Sequence, residues 1–205
     1  MQEKVVNYLM TNIEKNNDLD KVKLAEIKYG IMGMYSMITK TFAIFVIAIV
    51  LNFFKDFLIF MLFYIPLRSL GFGAHAKSNF QCWIFSTLLV IGLPYLICNF
   101  LNINLLIKIL VWSVCFISFF VFCPADTEKR PMINKKRKLK FKIVLLLLDL
   151  IYLVLILKFE SLSNYIIAAL ILQTFLSSPL GYILMGQKIR FCLNDLYFLN
   201  KKRKE

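Results

Sequence analysis

Apolar residues concentrate in six segments of this chain, separated by short polar stretches. The segments are residues 38–54, 57–70, 82–98, 104–122, 142–158 and 164–185. The last four have about the ~20 residues that a helix needs to cross ~30 Å of hydrocarbon. The second is short, so it is either a partial span or one extended through Arg68 and Leu70. The pattern predicts an all-α, polytopic membrane protein with about six transmembrane helices.

Two amphipathic helices are predicted before these spans. Residues 3–15 place apolar side chains on one helical face and charges on the other, and a second such stretch covers about 18–38. No internal repeat or low-complexity linker divides the chain. We therefore expect one domain over residues 1–205, with amphipathic helices at 1–37, a transmembrane bundle at 38–185 and a basic tail at 186–205.

Composition agrees with lipid as the solvent. The chain is 60% hydrophobic and 18% charged, with a mean hydropathy of +0.70. A soluble domain of this length buries its core with far less apolar content. The net charge of +13 could suggest nucleic acid. On a polytopic protein, basic residues more often orient the chain and bind anionic lipid, so we expect membrane lipid and no nucleic acid as a partner.

The distribution of Lys and Arg predicts the topology. With six spans and both termini in the cytoplasm, the inner segments 1–40, 68–81, 123–142 and 186–205 hold 22 of the 25 basic residues. Lys108, early in the fourth span, is expected to snorkel to the surface. A competing arrangement fuses 41–67 into one span and places the N-terminus outside. It buries Lys55 and Asp56 in lipid, and it also leaves residues 68–81 inside.

Candidate chemistry lies in residues 68–83. His75 is the only histidine, and it stands seven positions before Cys82, which opens a transmembrane segment. A thiol peptidase needs a thiolate with a nearby imidazole, and the first turn of a helix lowers a thiol pKa. Seven residues of continuous helix would separate the two side chains by ~10 Å, so the linker must fold back, which Gly71 and Gly73 permit. Spacing alone also fits a solvated histidine and an inert cysteine.

These residues resemble those of the accessory gene regulator B (AgrB) family of Gram-positive quorum-sensing systems. The resemblance rests on Arg68, on Gly73-Ala74-His75-Ala76, on Cys82 and on the Cys123–Pro131 run with the basic residues after it. It extends over essentially the whole chain, including the length, the six-span hydropathy and the polar N-terminal section.

The resemblance implies a membrane-embedded cysteine endopeptidase that acts on an AgrD-type precursor peptide. The nucleophile maps to Cys82 and the general base to His75, with Arg68, Gly71 and Gly73 as supporting residues. Cleavage through a Cys thioester would release the C-terminal tail and lead to a cyclic thiolactone or lactone. The family also implies a homodimer in the cell membrane, with the active site at the cytoplasmic face.

Further roles stay open. Ser78, Asn79 and Gln81 are candidates to orient His75, and the basic loop is either topogenic or binds an acidic precursor tail. The tail-binding candidates are Lys129, Arg130, Lys135, Lys136, Arg137 and Lys138. We expect no metal or cofactor, because one histidine cannot supply a zinc protease motif and no phosphate-binding glycine loop occurs. The alternative function is a small transporter that uses Asp149 and Lys108.

Overall fold

The computed structural model describes residues 2–16, 20–74, 79–101, 103–125 and 134–186, and these are almost entirely helical. The all-α prediction is confirmed for them. The helices are α1 (Gln2–Asn16), α2 (Lys21–Val50), α3 (Phe54–Gly71), α4 (Asn79–Thr87), α5 (Leu93–Phe100), α6 (Leu105–Phe122), α7 (Lys135–Lys158), α8 (Glu160–Ser177) and α9 (Pro179–Leu184). A π-helical segment, Leu88–Gly92, joins α4 to α5.

The chain divides into two compact units, of which the first covers residues 1–52. In this unit α1 contacts α2 and its Val6 and Met10 side chains, one turn apart, are buried. The amphipathic stretch and the first span, which the sequence pattern separates near residue 38, form the single helix α2, ~45 Å long. No proline interrupts it. The helix ends at Val50, and Asn52 in the turn that follows has a φ of 52°, a left-handed value that asparagine tolerates.

The second unit begins at Phe53 and is organised around α8. This helix contacts α3, α5, α6 and α7. Every side chain from Ile166 to Leu170 is fully buried, as expected for a helix that is apolar on all sides. Helix α3 runs through Arg68 to Gly71, ~27 Å, so the second apolar segment forms a helix of the longer, extended kind. Residues 51–53 are not helical, so residues 41–67 do not form one continuous helix.

Two side-chain hydrogen bonds connect the N-terminal ends of α3, α6 and α8. Tyr165 on α8 donates a hydrogen bond to Asp56 on α3. Lys108 is buried rather than snorkelling, because its ammonium donates to the Ser163 hydroxyl at 2.6 Å. The prediction for Lys108 is therefore wrong. These contacts also place the starts of α3, α6 and α8 at one end of the bundle.

Among the described residues, three helical stretches are long and apolar enough to cross a membrane: Val22–Val50, Trp83–Phe100 and Leu105–Phe122. They overlap the predicted spans 38–54, 82–98 and 104–122, and they fit a membrane protein. The remaining predicted spans are helical too, although the last is interrupted at Ser178, where Pro179 starts α9. The count of six spans and the side of each terminus stay predictions.

Candidate functional site

The C-terminal end of α3 turns sharply just before the predicted catalytic histidine. Phe72 has a φ of 54° and Gly73 a φ of 121°. The Arg68 guanidinium, one turn earlier, reaches forward over this turn. Its Nη1 donates to the Phe72 carbonyl at 2.6 Å and its Nη2 to the Ala74 carbonyl at 3.0 Å. A positive φ at a residue as bulky as Phe72 is strained by about 1–3 kcal/mol, so such a turn persists only where its surroundings hold it.

Two distant segments hold the turn. The Ala125 amide, just beyond α6, donates to the Gly71 carbonyl at 2.9 Å, and Phe72 and Ala125 form an isolated parallel bridge. The Ala74 amide donates to the Leu176 carbonyl at the end of α8 at 2.8 Å. We call residues Gly71–Ala74 the anchored turn, because backbone groups at Gly71, Phe72 and Ala74 are tied to neighbouring segments.

The anchored turn leaves no room for side chains at its glycines. A Cβ on Gly73 would lie 2.6 Å from Arg68 Nη1 and 2.8 Å from the Leu176 carbonyl oxygen. A Cβ on Gly71 would lie 2.5 Å from Gln173 Nε2 and 3.6 Å from Cys123 Sγ. The sequence pattern attributes a conformational freedom to both glycines. The structure shows that close packing is the constraint at Gly71, and that packing and a positive φ act together at Gly73.

The predicted nucleophile lies on α4. Cys82 is the fourth residue of this helix and so belongs to its first turn. The backbone N–H groups of that turn have no acceptor within the helix. Asn79 and Gln81 share that turn. His75, Ser78, Lys129 and Arg130 lie outside the described residues. The pairing of His75 with Cys82 therefore stays a prediction.

A second thiol, Cys123, lies beside the anchored turn but is chemically unlike a nucleophile. It is fully buried at the end of α6. Burial raises the pKa of the Cys123 thiol to about 12, although a hydrogen bond with Ser177 and the nearby Arg68 charge act to lower it. A peptidase nucleophile needs a thiolate near neutral pH. Cys123 is therefore a packing residue of the site.

The basic residues at the start of α7 adjoin the anchored turn. Lys135, Lys136 and Arg137 are exposed in the first helical turn, and Asn134 caps it by accepting from two backbone amides. Cations at a helix N-terminus are unfavourable, so their presence there suggests another role. The Arg137 guanidinium lies 5.6 Å from the centre of the Phe141 ring, which meets the Phe72 ring edge-on at 5.5 Å. Aromatic contacts thus connect the basic turn to the site.

Gln173 on α8 is the residue of this site that the sequence pattern did not indicate. Its side chain is fully buried, and its Nε2 donates to the Phe72 carbonyl at 2.8 Å and to the Ser177 hydroxyl at 3.0 Å. A carboxamide within an apolar segment is costly in lipid and usually faces the protein interior. That rule could have identified it.

Asp149 on α7 is also fully buried. Neither of its carboxylate oxygens has a hydrogen-bond partner among the described residues, and Trp112 donates to its backbone carbonyl at 3.1 Å.

The fold and the site together define a class: a helical protein with stretches long and apolar enough to cross a membrane, in which the turn after α3 is held by Arg68, by the end of α8 and by the segment after α6. The family model for accessory gene regulator B matches residues 2–177, and the chain belongs to this family. The accessory gene regulator protein B of Staphylococcus aureus strain Newman is 30% identical over 179 residues, 87% of this chain and 94% of the relative. That of Staphylococcus carnosus strain TM300 is 33% identical over 128 residues, 62% and 66% of the two chains. No solved structure matches significantly.

Membership of this family confirms the resemblance noted from the sequence. It also connects the chain to the agr quorum-sensing system.

Proposed function

We propose that the protein is a cysteine endopeptidase that cleaves the C-terminal tail of an AgrD-type precursor peptide. The observation that carries the proposal is the position of Cys82 in the first turn of α4, in a chain of the accessory gene regulator B family. In this proposal the Cys82 thiolate attacks a peptide carbonyl of the precursor, and His75 transfers the thiol proton to the departing amine of the tail. The acyl group stays on Cys82 as a thioester.

A cysteine or serine inside the precursor then attacks the thioester carbonyl. The new bond closes a thiolactone or lactone ring, and the Cys82 sulfur leaves and regains a proton. No cofactor takes part. The reaction is placed at the cytoplasmic face of the cell membrane, in a multi-pass protein that acts as a homodimer among anionic lipids.

The basic first turn of α7 is proposed to bind the acidic tail of the precursor. Lys135, Lys136 and Arg137 are exposed there, and the aromatic contacts from Phe141 to Phe72 place this turn beside the anchored turn. A bound carboxylate would interact with both the side-chain cations and the positive end of the helix dipole. Lys138, Lys129 and Arg130 complete the proposed tail-binding set.

The test is precursor cleavage by membrane vesicles that contain the protein. Cys82→Ala and His75→Ala should each abolish cleavage while insertion into the membrane is unchanged. Cys98→Ala removes a half-buried thiol far along the same helical stretch and should cleave normally. With the wild-type chain, mass spectrometry should find the precursor fragment attached to Cys82. Full cleavage by Cys82→Ala would contradict the proposal.

A small transporter is the alternative function. The observation that favours it is the fully buried carboxylate of Asp149, since an intramembrane acid often marks an ion or substrate path. Flux through protein-containing liposomes that is insensitive to thiol alkylation would support it. Lys108, the other residue expected in such a path, is engaged with Ser163 and has a structural role.

A further inference from the structure

Gln173 has an unusual combination of burial and bonding. It is fully buried on α8. Its amide nitrogen donates two hydrogen bonds, one to the backbone carbonyl of Phe72 and one to the hydroxyl of Ser177 on the same helix. Its Oε1 has no partner among the described residues. A buried polar group that is only partly satisfied is unfavourable for folding, and leucine would pack there without that cost. The amide therefore has a role that packing does not explain.

The Phe72 carbonyl is the point where that amide acts. It accepts from Arg68 Nη1 on one side and from Gln173 Nε2 on the other, so it is held from two helices at once. Phe72 is also the strained residue of the anchored turn, with a φ of 54°. Two donors on its carbonyl oppose relaxation of that strain. Ala74 ends the turn, and the next residue in the chain is His75.

We propose that Gln173 is a positioning residue for the histidine of the proposed peptidase. By holding the Phe72 carbonyl against α8, it sets the point from which the chain enters His75. The inference rests on the proposed function, because it needs His75 to be the base. It assigns to α8 a role in the reaction that neither the family model nor the sequence pattern assigns.

A substitution at Gly71 is a second way to disturb the hydrogen bond between the Gln173 amide and the Phe72 carbonyl. A methyl group there would lie 2.5 Å from Gln173 Nε2, which is nearer than real Cβ contacts come. The nearest atom belongs to a side chain, so Gly71→Ala should push the amide aside while the helix remains intact. Gly71→Ala and the loss of the Gln173 amide are then two routes to one defect. Their effects should not multiply when they are combined.

The experiment measures precursor cleavage by purified full-length protein in bilayers, with an AgrD-type precursor peptide as substrate. Gln173→Met keeps the length of the side chain and removes the donor. We expect kcat to fall roughly 10- to 100-fold with little change in KM, because a small misplacement of a catalytic group has that effect. The pH profile of kcat should also shift, since the base is displaced. The matched control, Leu170→Met, exchanges a fully buried side chain one turn earlier on α8 and should leave kcat and the pH profile unchanged.

The coupling is tested with Gly71→Ala, Gln173→Ala and the double variant. We expect the double variant to cleave within about twofold of Gln173→Ala alone, whereas independent effects would multiply. If Gln173→Met does not yield folded protein, Gly71→Ala decides the matter, because it retains the glutamine. A wild-type kcat and pH profile in either folded variant would overturn the proposal.

Failure of this inference can be told apart from failure of the proposed function. If Cys82→Ala and His75→Ala abolish cleavage but folded Gln173→Met cleaves normally, the peptidase stands and the positioning role is wrong. If Cys82→Ala cleaves as well as the wild-type chain, the peptidase proposal itself is wrong, and the role of Gln173 in it falls too.

Discussion

Replacement of Gly73 by alanine should disrupt the anchored turn. Gly73 has a φ of 121°, a value that L-residues rarely adopt. Forcing alanine into such a conformation costs about 1–3 kcal/mol. The added Cβ would also lie 2.6 Å from Arg68 Nη1 and 2.8 Å from the Leu176 carbonyl oxygen. The backbone at Leu176 cannot swing away as a side chain can, so the turn must move.

The magnitude follows from what the movement breaks. Displacing the Arg68 guanidinium loses a charged hydrogen bond to the Phe72 carbonyl, a loss of about 1.5–3 kcal/mol. Together with the backbone term, the cost is roughly 3–5 kcal/mol. This free-energy cost destabilises the anchored conformation of the turn relative to other conformations. Each ~1.4 kcal/mol changes that equilibrium tenfold. We therefore expect a loss of anchoring of about 100-fold or more, with precursor cleavage reduced at least tenfold.

The assay compares initial rates of precursor cleavage in membrane vesicles at equal amounts of inserted protein. Gly33→Ala is the matched control, because it makes the same chemical change within α2, where no heavy atom lies within 4 Å of the new Cβ. Alanine there should favour the helix by about 0.5–1 kcal/mol. If Gly73→Ala cleaves as fast as Gly33→Ala, the close approach of Arg68 and Leu176 does not constrain the site and the reasoning is refuted.

Two further predictions concern buried groups. Ser163→Ala should destabilise the protein by about 1–3 kcal/mol or more, because it leaves the buried Lys108 ammonium without its acceptor, whereas Lys108→Met should be nearly neutral. Thermal unfolding in detergent measures both, and a larger loss for Lys108→Met would contradict this account. Cys123 should resist iodoacetamide at pH 8 in the folded protein, because a pKa of about 12 leaves only about one thiol in ten thousand ionised. Peptide mass spectrometry before and after unfolding checks this, and rapid alkylation of Cys123 in the folded state would show that it is wrong.

The helices were largely predictable from the chain alone. Long apolar runs have to form helices if they lie in lipid, since every backbone polar group must then be satisfied within its own segment. That reasoning predicted helices close to α3, α6 and α7, but it left the extension of α3 through Arg68 as one of two alternatives. It missed the continuity of α2, because a change from amphipathic to apolar composition is not a signal that ends a helix. The structure ends α2 at Val50 instead, just before the turn that contains Asn52.

The site was predictable only in part. Arg68, Gly71 and Gly73 lie close to His75 in the sequence, and the motif they share was enough to single them out. Lys108 shows where local reasoning fails. Its early position in a span predicts snorkelling, but a serine 55 residues later in the chain supplies a buried acceptor. No feature of the residues around Lys108 could indicate that partner.

The sequence by itself determined the class of the protein, its helical segments and the motif around His75 and Cys82, because hydropathy and short-range spacing are local properties. The tertiary structure alone decided what holds that motif in place. The Phe72 carbonyl is bonded by Gln173, 101 residues further along the chain, and the same amide lies so close to Gly71 that a methyl group there would displace it. Contacts of this kind form because the C-terminal ends of α3, α6 and α8 lie close together. Residues that are close in the sequence do not indicate such long-range contacts.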